Sequence, residues 1–130
     1  MSDKYYINTV FEGSFEDAIE KVTEELAKEQ FGIPTQLDIT NTLKEKIGVD
    51  FRKYRVLGAC NPPSAYKALQ IEDKVGTMLP CNVVVQELEP GKVEIAAVDP
   101  VASMQSIDNP ALKEIIADVK SKLERVIAEC

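Results

Sequence analysis

The sequence predicts an α+β fold: a single mixed sheet of about five strands with two long amphipathic helices packed on it, in the order β-α-β-α-β-α-β-β-α. Three observations carry this. Two segments repeat apolar residues at helical spacing, Phe15, Ala18, Ile19, Val22 and Leu26 near one end, and Leu112, Ile115, Ile116, Val119, Leu123, Val126 and Ile127 near the other. Five short runs rich in β-branched and aromatic residues are bounded by turn formers. Five of the six glycines, all but Gly58, fall between the proposed elements.

The elements follow in order. Lys4 to Phe11 reads as a strand with Tyr5, Ile7, Thr9 and Phe11 on one face, and Gly13-Ser14 breaks it. Ser14 with Asp17 resembles a capping box and opens the first helix, which ends near Phe31-Gly32. Ile33 to Ile39 is a short strand whose Pro34 suits an edge or a strand start. Thr40 or Asn41 caps a brief helix through Ile47, and Gly48 suits the left-handed position that closes it. Tyr54 to Cys60 is the third strand, and Asn61-Pro62-Pro63-Ser64 ends it and opens a short helix through about Leu69. Cys81 to Leu88 has Val83, Val84 and Val85 apolar on both faces, the pattern of a central strand covered on both sides. Glu89-Pro90-Gly91 turns the chain into Lys92 to Val98, a hairpin, and Asn109-Pro110 starts the last helix. No linker, repeat or low-complexity tract interrupts this order, so residues 1–130 read as one domain.

Composition closes several functional classes. A chain of 130 residues buries about two thirds of the surface its unfolded form exposes, so neither disulfides nor metal staples are required. With 22 acidic and 15 basic side chains the net charge is -7, which disfavours broad contact with nucleic acid or an anionic membrane. There is no histidine, which removes Ser-His-Asp and Cys-His catalysis and His-liganded zinc. The start, Met1-Ser2-Asp3-Lys4-Tyr5, shows no leader pattern, and no apolar run approaches the ~20 residues of a membrane helix. Three cysteines suit reduced thiols, and the expected location is the cytoplasm.

The residues that invite chemistry lie at strand ends. Gly58-Ala59-Cys60-Asn61-Pro62-Pro63 closes one strand and Leu79-Pro80-Cys81-Asn82-Val83 opens another. A thiol beside the amide donors of a helix start is a place where a thiolate is stabilised or an anion docks. Free cysteine is also among the most buried residue types, and most are inert. Strand direction decides between these: antiparallel strands bring Cys60 and Cys81 together, whereas a parallel crossover separates them by a strand length of ~20 Å. Cys130 reads as a solvent-exposed bystander. Asp38, Asp50 and Asp99 sit at element ends, where capping competes with function. Lys44, Lys46, Arg52, Lys53 and Arg55 form a local basic stretch able to receive a phosphate or carboxylate, although such runs are more often solvated faces. Gly58, alone inside a strand, calls for close approach by a neighbour.

These motifs, with Ala97-Val98-Asp99-Pro100, Phe31-Gly32 and Phe51-Arg52-Lys53-Tyr54, resemble a bacterial and archaeal family known as domain of unknown function number three hundred and two. The resemblance spans nearly the whole chain. It implies a stand-alone, dimeric α+β domain with no assigned reaction, substrate or catalytic residue.

The expectation is a small cytoplasmic ligand-binding or interaction domain, a homodimer, with a pocket lined by Cys60, Asn61, Cys81 and Asn82 and with Asp99 and Arg55 at its rim. Its ligand would be a small molecule or an anion; no cofactor, metal, nucleic acid or membrane is expected. One competing reading is thiol chemistry, redox or nucleophilic, in which Cys60 attacks and Cys81 resolves or positions. The other is a purely structural dimerisation domain. No catalytic motif favours an enzyme.

Overall fold

The computed structural model describes residues 4–130; Met1–Asp3 of the N-terminal reading lie outside them. The strands are β1 (Tyr6–Glu12), β2 (Gly32–Asp38), β3 (Tyr54–Cys60), β4 (Cys81–Glu89) and β5 (Lys92–Val98). The helices are α1 (Phe15–Lys28), α2 (Ile39–Ile47), α3 (Pro62–Ile71), α4 (Pro100–Ser103) and α5 (Pro110–Glu129), with a 3₁₀ helix at Asp73–Met78. No helix among the described residues is long and apolar enough to cross a membrane.

The class and the five strands are as expected, but the sheet is antiparallel throughout rather than mixed. Its order is β1-β5-β4-β3-β2. The physical reason is that the segments carrying α2 and α3 each join neighbouring strands as elaborated hairpins, while only α1 carries the chain from one sheet edge to the other. The short α4 and the 3₁₀ helix were not legible as periodic patterns, being too brief to show one.

Local signals account for the boundaries. Ser14 accepts from the Asp17 amide at 3.0 Å and starts α1. That helix stops at Lys28 because Gln30 adopts φ 68°, after which the Phe31 amide donates to the Leu26 carbonyl at 2.9 Å. The helix therefore stops earlier than the expected end near Phe31-Gly32, and the left-handed position is held by a glutamine. Asp38, rather than Thr40 or Asn41, caps α2, accepting from the Asn41 amide at 3.0 Å. Thr40 lies inside α2 and its side chain reaches the entry to β3 instead, where Oγ1 donates to the Arg52 carbonyl and accepts from the Tyr54 amide, both at 2.7 Å. Gly48 closes α2 at φ 68°.

One face of the sheet carries the main core. Leu57, Ala59, Cys81, Val83, Val85, Val93, Ile95 and Ala97 are buried there against Phe15, Val22 and Leu26 of α1 and Val119, Leu123, Val126 and Ile127 of α5. A second, smaller core of Ala68, Val75, Met104, Leu112 and Ile116 lies where α3, the 3₁₀ helix, α4 and the first half of α5 meet. The other face of the sheet is open: Val84 and Ala96 are half-buried and Val10 and Leu37 exposed, and Asn82, Gln86 and Glu94 line a shallow furrow there. The reading of β4 as covered on both faces is thus corrected within one copy of the chain.

Candidate functional site

The antiparallel β3–β4 pairing puts Ala59 opposite Cys81 and Gly58 opposite Asn82, so the two thiols stand at the same end of neighbouring strands. Above that end, α3, the 3₁₀ helix, α4 and α5 form a cap. Between cap and sheet lies a cavity of about 40 Å³, bounded by residues of both cores: Phe31, Ala59 and Cys81 from the first, Ala68, Val75, Met104 and Leu112 from the second. Cys60, Asn61 and Ser64 complete its sheet-side wall. The bounding side chains are overwhelmingly apolar and none is charged.

Two of the wall's polar groups are already committed to structure. Asn61 is buried; its Oδ1 accepts from the Ser64 amide at 3.2 Å and caps α3, and its Nδ2 donates to the Glu29 carbonyl at 3.0 Å at the end of α1. One side chain thus ties the cap to the main core. The thiols are unpaired. Burial, and secondarily the neighbouring Cys60, push the Cys81 thiol up to about 11, so it remains protonated at neutral pH. The wall can therefore enclose a small neutral guest, and its soft sulfur atoms, Cys60, Cys81 and Met104, are polarisable contacts for one.

The other expected site residues fall elsewhere. Asn82 points from β4 onto the open sheet face, because alternation along the strand turns it away from Cys81. Arg55 lies at the opposite end of β3, 3.6 Å from Asp38 and over the Phe15 ring, so it does not border the cavity. Asp99 is buried behind the wall rather than on it. It accepts from the Val101 amide at 3.0 Å and the Ala102 amide at 3.3 Å, capping α4, and pairs with Lys120 at 3.0 Å. Cys130 is not solvent-exposed: it packs half-buried against the main core, and burial, with Glu25 nearby, pushes its thiol up to about 11.

Gly58 has its explanation two residues from Cys60. A methyl group there would collide with Thr35 Oγ1 across the β2 pairing and come within 2.8 Å of Pro80 Cγ. The apolar wall contributed by Val75, Met104, Leu112 and Ile116 was missed, since nothing in linear spacing distinguishes residues lining a cavity from residues filling a core. Among the described residues no cluster of cysteine and carboxylate side chains is arranged to hold a metal ion.

Comparison with known proteins adds a lineage. The family model described as domain of unknown function DUF302 matches residues 7–130. The crystal structure of an uncharacterized conserved protein, DUF302, from Bacillus stearothermophilus superposes with a TM-score of 0.88 at 33% sequence identity, covering 97% of this chain and 98% of that one. No curated protein matches the chain.

Proposed function

The chain belongs to the DUF302 family, whose function is unknown, and on that premise we propose that it is a binding domain for a small, neutral, largely apolar molecule. The observation that carries this is the cavity at the seam of the two cores, with Cys60 and Cys81 on its sheet side and no charged group on its wall. A wall without a cation favours a neutral guest over the anion that the sequence allows. The volume of about 40 Å³ corresponds to roughly three water-sized spheres at 10–15 Å³ each. A guest larger than a few heavy atoms therefore requires the cap to shift. The raised Cys81 thiol weighs against its part as the resolving thiol in the competing reading, because thiol–disulfide exchange runs through the thiolate. Three unpaired thiols support a reducing, cytoplasmic setting.

Xenon is a suitable probe, being apolar, polarisable and small. Titrating dissolved xenon against methyl-labelled protein should give saturable NMR shifts at Ala68, Val75 and Leu112, with non-saturable drift at surface methyls. Ala65→Val and Ala68→Val fill the space from α3 and should abolish saturation while leaving the fold intact by circular dichroism. Saturation absent from the wild type, or unchanged in both variants, sinks the proposal.

A further inference from the structure

The cap over the cavity is tied down in one half only. That half is α4 with α5. The Asp99 amide donates to the Tyr5 carbonyl at 2.8 Å, and the Asp99 carboxylate pairs with Lys120 at 3.0 Å. Arg125 grips the Glu29 carboxylate at the end of α1 through two hydrogen bonds of 2.9 and 3.2 Å. Buried residues run the length of α5, from Leu112 and Ile116 to Val126 and Ile127.

Residues 62–79, which carry α3 and the 3₁₀ helix, are held differently. Their hydrogen bonds and ion pairs stay inside the segment or return to Asn61 at its root. The Ser64 and Ala65 amides donate to Asn61, Val75 to Glu72, Leu79 to Gly76 and Thr77 Oγ1 to the Lys74 carbonyl, while Lys74 pairs with Asp73. Only Ala68 and Val75 of the segment are buried. With Ile71 and Leu79 they rest on Met104, Leu112 and Ile116, an apolar seat crossed by no polar tie among the described residues. A segment joined to the body in this way opens at a lower free energy than the sheet beneath it.

The topology allows such an opening without disturbing the sheet. The segment leaves at Cys60 and returns at Cys81, and the pairing of Ala59 with Cys81 sets these two points side by side. The root is hooked to the body by Asn61, whose Nδ2 donates to the carbonyl of Glu29 at 3.0 Å. Ser64, Ala65, Ala68, Val75 and Leu79 line the cavity, so displacing the segment unroofs Cys60 and Cys81.

We infer that residues 62–79 are the lid of the cavity, opening as one unit about Asn61 and Pro80 while α4 and α5 stay in place, with the Asn61–Glu29 hydrogen bond as the tether that holds it shut. The inference rests on the reading of the cavity as a binding site and adds its gate. A guest too large for the closed space of about 40 Å³ enters on this side, and its residence time is set by lid opening.

Native-state amide exchange in stepwise low urea, read together with xenon binding, tests this. In the wild type the amides of α3 and the 3₁₀ helix should exchange through one shared opening, with a smaller urea dependence than those of β4 and α5. Asn61→Ser keeps a hydroxyl that caps α3 but is too short to reach Glu29. It should speed exchange across 62–79 by about 5-fold, the worth of one hydrogen bond, and leave β4 and α5 unchanged. Asn109→Ser, the same change at the start of α5, should leave 62–79 as it was. Xenon at about twice its dissociation constant should slow the lid amides about 3-fold in the wild type, because the closed form holds the guest, and have no such effect in Ala68→Val. Lid amides that exchange only together with β4, or an Asn61→Ser chain in which 62–79 and α5 quicken alike, overturn the lid. Xenon that saturates the cavity without slowing the lid amides overturns the gate and keeps the binding reading. Xenon that never saturates removes the binding reading, and the urea dependence then decides the lid by itself.

Discussion

The Cys81 thiol is only 6% exposed, and burial chiefly raises its pKa from the ordinary 9.0 to about 11. An unfolded chain releases that proton near pH 9 while the folded chain keeps it. The associated stability is therefore complete below pH 9 and is lost as pH rises toward 11, about 3 kcal/mol for two pKa units. Urea midpoints measured from pH 8 to 11 should fall, and Cys81→Ala should flatten part of that slope; a parallel slope in the variant would assign the loss to other groups. At the same scale, Gly58→Ala should destabilise by about 1–3 kcal/mol, since the new methyl group meets Thr35 and the rigid Pro80 ring. Adding Thr35→Ala should recover part of that loss in denaturant melts. The need for a glycine at position 58 was legible in the sequence, because a lone in-strand glycine demands a neighbour. Which neighbours they are was not, because Thr35 and Pro80 meet it only through the pairing of β2 and β3 and the approach to β4.

Among the elements, α1 ends on Gln30 in a left-handed conformation that glycine adopts without steric cost. Gln30→Gly should accordingly raise stability by about 0.5–1 kcal/mol, read as a higher urea midpoint with an unchanged slope. A lower midpoint would mean that the Gln30 side chain contributes more than its backbone costs. Asn61→Ala should act in the opposite direction, by about 2 kcal/mol, because it uncaps α3 and leaves the Glu29 carbonyl without its donor. Amide exchange should quicken first across α3 and the 3₁₀ helix, the cap of the cavity. The starts of α1, α3 and α5 were readable because Ser14, Asn61 and Asn109 act through amides two or three residues away. The start of α2 was misassigned to Thr40 or Asn41 because Thr40 is claimed by Arg52 and Tyr54, partners twelve and fourteen residues distant.

At the scale of the whole molecule, two cores meet at one seam, the larger on the sheet and the smaller beneath the cap. Local rules in the sequence determined the number of strands, the two long helical stripes, the turn positions and the classes of catalysis that lacking histidine removes. They also brought attention to Cys60 and Cys81. Only the tertiary structure decided that the sheet is antiparallel, that these two thiols therefore share a cavity, and that Asn82, Asp99 and Arg55 do not line it. The division is physical. Periodicity, capping and turn chemistry act over a few residues and are written in neighbouring side chains. Strand direction is set by how the β3–α3–β4 connection closes over twenty residues, and the seam between two cores exists only once distant segments have packed.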